Sequence, residues 1–292
     1  MKILVFGRIG QLGSALVDVL SDQYETRFID QPELDLTAPE SVRDHVQNYL
    51  PSIVINAAAY TAVDRAETEP ELAHIINAHA PGSLAYACNE VGAVLIHYST
   101  DYVFDGTATI PYTETAAAVP TGVYGQSKLA GEIAVASATQ RYVILRTAWL
   151  YSAVGHNFVK TMLKLANSGQ PIRVVADQIG SPTYAQDLAR VTHSIVEVLN
   201  SSRDDYFGLY HVANSGTTSW HGLAEEIFRL AAHRDVVAQP ISTEEYPTPA
   251  PRPAYTALDC SKLERVFGLT LPNWRDALAR CIDVLSGSNR ER

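Results

Sequence analysis

The first twenty residues constrain the fold of this chain more than any other stretch. Lys2 to Phe6 form a short apolar run, Gly7 to Gly13 carry glycine at every third position, and Ser14 to Leu20 have a helical pattern. A continuous apolar run is typical of a strand that is buried on both faces. Glycines after such a strand permit a turn through which the backbone and the next helix N-terminus approach a phosphate. The spacing, Gly-x-x-Gly-x-x-Gly, varies the usual Gly-x-Gly-x-x-Gly, and it predicts a phosphate site at the first turn.

Strand and helix patterns alternate up to about residue 150. The β-type runs are Lys2–Phe6, Glu25–Ile29, Ser52–Asn56, Val94–Tyr98 and Tyr142–Leu145. The longer helical patterns between them are Pro39–Tyr49 and Pro70–Val91. This alternation predicts an α/β fold with a Rossmann-like doubly wound parallel sheet.

Beyond residue 150 the alternation is less regular. Predicted helices there are Phe158–Asn167, Ala185–Leu199, Trp220–Ala232, Cys260–Val266 and Trp274–Leu285, with strands at Ile172–Ala176 and Leu209–Ala213. We therefore divide the chain into residues 1–150, a dinucleotide-type domain to which later segments lend a strand and a helix, and a smaller C-terminal α/β part, residues 151–292.

Composition excludes several classes of partner. The formal net charge of −10 opposes binding to DNA or RNA, although one local basic pocket for a small phosphate ligand is compatible with it. Three cysteines, far apart and odd in number, indicate neither a disulfide framework nor a zinc site, so a reducing cytoplasm is expected. No apolar run approaches the roughly 20 residues that span a bilayer, and no membrane role is expected.

Tyr124 and Lys128 form a candidate acid–base pair. They are four residues apart in a stretch with helical rhythm and no proline, so their Cβ atoms lie roughly 5–6 Å apart on one helix face. A free tyrosine titrates near pH ~10, and a general acid works best with its pKa near ambient pH. Lys128 is placed to lower the pKa of the phenol. Alone, the pair is more often part of a half-exposed helix face, and it is the neighbouring motifs that favour the catalytic interpretation.

Two further segments supply candidate binding groups. Asp30 ends the second predicted strand, about 20 residues past the glycines, where a carboxylate binds an adenosine ribose and opposes a 2′-phosphate. The alternative is a solvated turn aspartate. Ser99, Thr100 and Asp101 stand just beyond the strand Val94–Tyr98, where α/β sheets bind ligands, and the hydroxyls are candidates for polarising a carbonyl. The alternative is that they only cap the loop.

A proline-rich run from Tyr246 to Pro253 is either a linker or a stiffened binding loop. We favour the loop because helical patterns resume after it. Arg252 within this run could pair with a diphosphate.

Together these segments resemble a known family. Gly7 to Gly13, Asp30, Asn56 to Ala59, His97 to Phe104 and Tyr124 to Lys128 resemble the extended short-chain dehydrogenases/reductases. Within that superfamily the chain is similar to the dTDP-4-dehydrorhamnose reductases. The blocks that carry this closer similarity are Ala62–Glu67, Arg146–Tyr151, Asn157–Met162, Asp177–Thr183 and Tyr246–Pro253.

The resemblance implies an NAD(P)-binding Rossmann domain in residues 1–150 and a substrate-binding part in residues 151–292. It implies NAD(P)H-dependent reduction of the 4-keto group of dTDP-4-dehydro-6-deoxy-L-mannose to dTDP-L-rhamnose in the cytoplasm, with Tyr124 as proton donor, Lys128 on the nicotinamide ribose and Thr100 on the carbonyl oxygen. The implied cofactor-binding residues, besides Tyr124 and Lys128, are Gly7, Gly10, Gln11, Leu12, Gly13, Asp30, Asp35, Leu36, Ala59, Tyr60, Thr61 and Tyr98. The implied substrate-binding residues are Thr100, Asp101, Trp149, Asn157 and Arg252.

Some points stay open at this stage. Related nucleotide-sugar dehydratases place Asp-Glu after the central threonine, whereas Asp101-Tyr102 follow Thr100 here, which favours simple reduction. Ala15 and Gln186 stand where the family's magnesium carboxylates are expected, so a magnesium ion and a metal-bridged homodimer are left open. Asp30 favours NADH, but NADPH is compatible with the resemblance. The alternatives are reduction of a related dTDP-deoxysugar, and a non-catalytic dinucleotide-binding subunit like the regulatory beta subunit of methionine adenosyltransferase.

Overall fold

The structure is a computed structural model that describes residues 1–200, 206–233 and 235–287. The strands, in chain order, are β1 Lys2–Phe6, β2 Glu25–Ile29, β3 Ile53–Asn56, β4 Val94–Thr100, β5 Tyr142–Thr147, β6 Leu150–Tyr151, β7 Ile172–Val175, β8 Ile179–Gly180, β9 Thr183–Tyr184, β10 Gly208–His211, β11 Thr218–Ser219 and β12 Ala238–Ile241. The α-helices are α1 Gln11–Leu20, α2 Pro39–Tyr49, α3 Val63–Ala66, α4 Pro70–His74, α5 Ala80–Val91, α6 Val123–Ala138, α7 Phe158–Ala166, α8 Ala185–Leu199, α9 Trp220–Leu230, α10 Ser261–Phe267 and α11 Trp274–Gly287.

A parallel sheet of six strands forms the centre of the described chain, in the order β10-β5-β4-β3-β1-β2. The strand order reverses between β1 and β3, because the chain first adds β2 on one side of β1 and then β3 on the other. Ligands of doubly wound sheets bind at the carboxyl ends of the strands at such a reversal. The predicted fold class is therefore confirmed, and its geometry already locates the site.

Helices cover both faces of the sheet because every second side chain of the central strands points to each face. Helices α1 and α8 pack on the face that carries Ile3, Val5 and Ile55. Helices α2 and α5 pack on the face that carries Leu4 and Phe6. Strand β10 pairs with β5 at one edge of the sheet, so both α8 and β10 return to the N-terminal half from beyond residue 150.

The remaining C-terminal segments form a second, smaller core. Helices α7, α9 and α11 pack around the parallel pair β7 and β12, with Trp274 fully buried among them. Short pairs β6–β9 and β8–β11 connect this core to the carboxyl edge of the large sheet. Within the described ranges, no helix combines the length and apolar character needed to cross a membrane.

Several predicted boundaries were wrong in informative ways. Helix α1 begins at Gln11 rather than Ser14, because the glycine loop itself provides the first helical turn. Strand β4 extends to Thr100, so Ser99 and Thr100 are its last residues and do not lie beyond it. The predicted helix from Pro70 to Val91 contains a π-helical segment, Ile75–His79, which often marks a functional site.

Candidate active site

A cavity of about 760 Å³ opens at the carboxyl edge of the sheet, at the strand-order reversal. The structure brings most of the predicted site residues to its wall. These are Gly7, Gly10, Gln11, Leu12, Asp30, Asp35, Leu36, Ala59, Tyr60, Thr61, Tyr98, Thr100, Asp101, Tyr124, Lys128 and Trp149. Residues separated by more than 140 positions in the sequence therefore face one cavity.

The glycine loop forms one end of the cavity and fits a dinucleotide phosphate. Gly7 has φ +94°, and a Cβ there would lie 2.6 Å from the Ala58 nitrogen. Gly13 does not line the cavity: a Cβ on it would lie 1.7 Å from the Gly7 carbonyl oxygen, so its role is to let α1 pack against the loop. No side chain caps the N-terminus of α1, so its first N–H groups face an anion site with the favourable end of the helix dipole.

Two carboxylates lie at the same end. Asp30 accepts hydrogen bonds from the backbone nitrogens of Ile9 (2.7 Å) and Gln31 (2.8 Å), which fixes its carboxylate beside the glycine loop. Asp35 accepts from the backbone and hydroxyl of Thr37, and these bonds lower the pKa of its carboxyl. Fixed negative charge here suits ribose hydroxyls and opposes an additional phosphate.

Asn77 organises the middle of the wall, and sequence reasoning did not identify it. Its side chain accepts from the Tyr60 nitrogen (2.8 Å) and donates to the Tyr60 carbonyl (3.0 Å) and to the Ser127 hydroxyl (3.0 Å). It thereby ties the loop of Ala59 to Thr61 to helix α6. Gly131 permits this approach, since a Cβ there would lie 2.0 Å from the Asn77 carbonyl oxygen. The signal that the sequence offered was an asparagine in the middle of a long predicted helix; its burial is known only from the structure.

Tyr124 is on the first turn of α6, and it lines the cavity together with Thr100 and Asp101 from the end of β4. Burial raises the pKa of the Tyr124 phenol, the hydrogen bond with the Thr100 hydroxyl lowers it, and Asp101 and Tyr102 raise it further. The Tyr102 ring contacts the Tyr124 ring edge to face, with centroids 5.7 Å apart. The net effect is a pKa above the ordinary value, so the phenol stays protonated and the predicted lowering of the Tyr124 pKa was wrong.

Lys128 is buried and its ammonium donates a 2.6 Å hydrogen bond to the Tyr98 carbonyl oxygen. Burial lowers the pKa of Lys128 to about 8, and the Glu132 carboxylate opposes this effect. The sequence predicts that Lys128 lowers the pKa of Tyr124, but in this arrangement Thr100 is the neighbour that does so. The reason is that a buried ammonium needs an acceptor, and the Tyr98 carbonyl is the one it reaches.

Asp101 is buried at the floor of the cavity, with 2 % of its surface exposed. Burial raises the pKa of its carboxyl to about 6, although the hydroxyls of Thr256 and Thr100 oppose this. Its Oδ2 atom makes no hydrogen bond of regular geometry within the described chain, although the Thr256 hydroxyl is close enough to lower the pKa of the carboxyl. A buried acceptor without a partner at a cavity wall suits a ligand hydroxyl.

Two stacked indoles form the other end of the cavity. The rings of Trp149 and Trp220 are 3.6 Å apart and nearly parallel, at 4°. A Cβ on Gly180 would lie 2.4 Å from the Trp149 ring, so glycine lets this indole lie flat on the chain. Trp220 and His156 line the cavity, and sequence reasoning missed both because they lie outside the family-like blocks.

Asn157 and Arg252 lie beside the cavity without lining it. Asn157 donates to the Gln11 side chain (2.9 Å) and accepts from the Lys160 nitrogen, which caps α7. Arg252 donates to both oxygens of Asp64 at 2.9 Å, and its guanidinium lies 5.8 Å from the centre of the Tyr102 ring. Arg252 thus connects the proline-rich loop to α3, and its predicted contact with a diphosphate stays a prediction.

The residues around Ala15 do not fit a divalent cation. Ala15 is buried on α1, and the Gln186 amide donates a 2.7 Å hydrogen bond to Asp18. The described residues contain no group of three or more His, Cys, Asp or Glu side chains that could hold a metal ion. A hard cation prefers several charged oxygen ligands, which this region does not supply.

Comparison with known proteins identifies close relatives. The sequence profile of the family described as the RmlD substrate binding domain matches residues 1–286. The chain is 43% identical to a dTDP-4-dehydrorhamnose reductase of Sinorhizobium fredii, over 98% of both chains. It is 42% identical to the protein of the same name from Escherichia coli K12, again over 98% of both.

Solved structures agree with this. A dTDP-4-dehydrorhamnose reductase from Clostridium acetobutylicum superimposes with a TM-score of 0.92, at 42% identity over 98% of this chain and 100% of that one. The protein of the same name from Bacillus anthracis, solved in complex with NADP, gives a TM-score of 0.88 at 40% identity, over 96% and 98%. Both similarities extend across the N-terminal and the C-terminal cores alike.

Proposed function

Because this chain belongs to the dTDP-4-dehydrorhamnose reductase family, we propose that it reduces the C4 ketone of dTDP-4-dehydro-6-deoxy-L-mannose to give dTDP-L-rhamnose, with NADPH or NADH as reductant. The observation that carries this proposal is the composition of one cavity. It has a phosphate-binding loop at one end, stacked indoles at the other, and Tyr124, Thr100 and Lys128 between them.

Each residue has a task that its position supports. The cofactor supplies the hydride when it is bound. Tyr124 donates its phenolic proton to the oxygen at C4. The Thr100 hydroxyl, which donates to Asp101 Oδ1 at 3.1 Å in the structure, turns to donate a hydrogen bond to the same oxygen. Negative charge grows on that oxygen during reduction, so donors aimed at it stabilise the transition state more than the ground state. Lys128, held by the Tyr98 carbonyl, offers its ammonium to ribose hydroxyls of the bound cofactor.

The substrate end is argued from burial and shape. Asp101 offers an unpartnered carboxylate oxygen to a sugar hydroxyl, and the Trp149 indole covers an apolar face of the sugar. Tyr102 follows Asp101, where a dehydratase would need a further acid. Its phenol is half-buried, and burial raises its pKa to about 12, so it stays protonated near neutral pH and cannot replace a carboxylate that must also serve as a base. The site is therefore suited to reduction without loss of water.

The decisive experiment combines purified protein, NADPH and dTDP-4-dehydro-6-deoxy-L-mannose. We expect NADPH absorbance to fall and dTDP-L-rhamnose to form in equal amount. Faster turnover of another dTDP-4-keto-deoxysugar would assign the enzyme to that sugar instead. Tight NADPH binding without oxidation of NADPH by any of these sugars would indicate a regulatory subunit and contradict the proposal.

Asp101→Asn is expected to stabilise the protein while weakening catalysis. The carboxyl has a folded-state pKa of about 6 against an ordinary 3.8, so its ionised form costs stability above about pH 6. Removing that cost should raise the free energy of unfolding by about 2–3 kcal/mol at pH 7, and by little near pH 4, where the carboxyl is protonated when folded. Urea unfolding at both pH values measures this, and kcat/KM for the sugar should fall.

A matched control for this variant is Asp105→Asn. Asp105 is an aspartate whose pKa is lowered, mainly by the backbone hydrogen bond from Thr107, so its substitution should destabilise the fold at pH 7. Equal effects of the two substitutions on unfolding would contradict the assigned cost of burying Asp101.

Removal of divalent cations is expected to leave the reaction unchanged. The Ala15 and Gln186 region lacks the charged oxygen ligands that a magnesium ion needs. Initial rates should therefore agree within about 20 % before and after dialysis against EDTA, within the precision of such assays. A rate that falls on dialysis and returns specifically with Mg²⁺ would show that other residues hold the ion.

A further inference from the structure

Glu132 is a buried charged group that the proposed reaction does not use directly. It lies on α6 with 6 % of its surface exposed. Its carboxylate accepts from Arg146 at Nε (2.8 Å) and Nη2 (2.6 Å), and from the Ser99 hydroxyl (2.5 Å). Arg146 belongs to β5 and Ser99 to β4, so one carboxylate joins the helix to two neighbouring strands.

Glu132 also continues the row that carries the reactive groups. Tyr124, Lys128 and Glu132 are spaced four residues apart, so they lie on one face of α6. Each of them meets the end of β4: Tyr124 lies beside Thr100, Lys128 donates to the Tyr98 carbonyl, and Glu132 accepts from the Ser99 hydroxyl. The three contacts fix how far α6 can slide or rotate relative to β4.

We propose that Glu132 is a positioning residue for the reduction: held by Ser99 and Arg146, it fixes α6 against β4 and holds its carboxylate one helical turn from the Lys128 ammonium. The role of Glu132 in catalysis rests on the proposed function. The charge relation between Glu132 and Lys128 does not depend on which sugar is the substrate.

The charged and titratable groups around Lys128 support an effect of the Glu132 charge on the Lys128 ammonium. Tyr124 and Glu132 face it from α6, and His97, Asp101 and Arg146 lie on or beside β4 and β5. Burial and the Lys128 charge together keep the pKa of His97 well below its usual range, so His97 is neutral. Arg146 is paired in a two-pronged contact with Glu132. Burial lowers the Lys128 pKa to about 8, and the Glu132 charge counters it.

A plainer explanation is that the Glu132–Arg146 pair only holds the fold together. The chain contains a matched pair that tests this explanation. Asp187 on α8 is equally buried and accepts from both terminal nitrogens of Arg280 on α11, at 2.7 and 2.6 Å. Asp187 does not line the cavity, so Asp187→Asn breaks a similar ion pair without altering the surroundings of Lys128.

The direct test is to follow the Lys128 ammonium by NMR in protein labelled with [ε-¹³C]lysine. The sequence has lysines only at positions 2, 128, 160, 164 and 262, so few signals are present and Lys128→Met assigns the relevant one. In Glu132→Gln, the Lys128 signal should titrate at least about half a pH unit lower than in the wild type. Asp187→Asn should leave it unchanged.

Turnover provides the second measurement. The rate falls as pH rises through the Lys128 pKa, so the alkaline limb of kcat/KM should move to lower pH in Glu132→Gln. Because α6 is also released from β4, kcat should fall about 10-fold or more even below that limb. Asp187→Asn should lower thermal stability less, because the Arg280 guanidinium is far more exposed than that of Arg146, and it should retain kcat and the pH profile.

Glu132→Gln leaves Arg146 buried without its partner, so the single variant could fail to fold. Glu132→Gln combined with Arg146→Met removes both charges and should restore stability. Because loss of the Arg146 charge partly offsets loss of the Glu132 charge, the Lys128 signal should shift in the same direction by a smaller amount. An unshifted lysine signal in whichever variant folds would overturn the inference. If the wild-type protein does not reduce the sugar but the Lys128 signal still shifts in Glu132→Gln, the proposed function is contradicted and the effect of Glu132 on Lys128 is supported.

Discussion

Tyr124→Phe is expected to lower kcat by at least about 100-fold, the usual contribution of a general acid. The substitution removes one hydroxyl from a ring that is held by its edge-to-face contact with Tyr102, so the cavity keeps its shape. NADPH binding, measured by fluorescence titration, should therefore change little. The loss should be in kcat, because the proton is donated only in the transition state.

Tyr210→Phe is the matched control for this loss. Tyr210 is fully buried, and its hydroxyl donates to the Tyr206 carbonyl at 2.9 Å, outside the cavity. Its substitution also removes one buried hydroxyl and should leave kcat unchanged. Undiminished turnover in Tyr124→Phe would remove Tyr124 from the mechanism.

Lys128→Met is expected to lower kcat/KM by at least about 100-fold, comparable to the loss of one preorganised donor in other enzymes. Unlike Tyr124→Phe, it should also weaken NADPH binding, because the ammonium is proposed to hold a ribose. The wild-type kcat/KM should fall as pH rises through about 8, where Lys128 loses its proton, and this limb should be absent in the variant. Stopped-flow and steady-state rates between pH 6 and 10 measure both effects.

Lys262→Met controls for loss of a hydrogen bond from a lysine to a backbone carbonyl. The Lys262 ammonium likewise donates to a backbone carbonyl, that of Leu209, at 2.7 Å. It lies over the Tyr210 ring and away from the cavity. Its variant should bind NADPH as the wild type does. Equal losses in both lysine variants would indicate a general loss of stability and contradict a specific role of Lys128.

Local patterns predicted those parts of the fold that local physics decides. Helix α8 begins at Ala185 and ends at Leu199, as predicted, because its apolar positions recur at helical spacing along the whole segment. Strands β1 and β2 also have the predicted ends. Strand β12, Ala238–Ile241, was not predicted, since it is four residues long, contains Pro240 and exists through pairing with β7.

The site was predictable only where its residues follow a strand or form a known spacing. Tyr124, Thr100 and Asp30 satisfied that condition, and all three line the cavity. Trp220 did not, because it starts a helix far along the chain and reaches the cavity by stacking on Trp149. The direction of the Lys128 side chain was equally inaccessible, because it depends on which carbonyl the folded strand presents.

The return of α8 and β10 to the large sheet limits how relatives of this chain can be recombined. Strand β10 covers the edge of β5, and helix α8 packs on α1; both lie far beyond the glycine loop in the sequence. A sugar-binding portion exchanged as one continuous tail after residue 150 would take these two covering elements with it. A workable chimera must instead exchange the segments before, between and after α8 and β10 separately. The sheet of the recipient chain then keeps its own edge strand and its own α8.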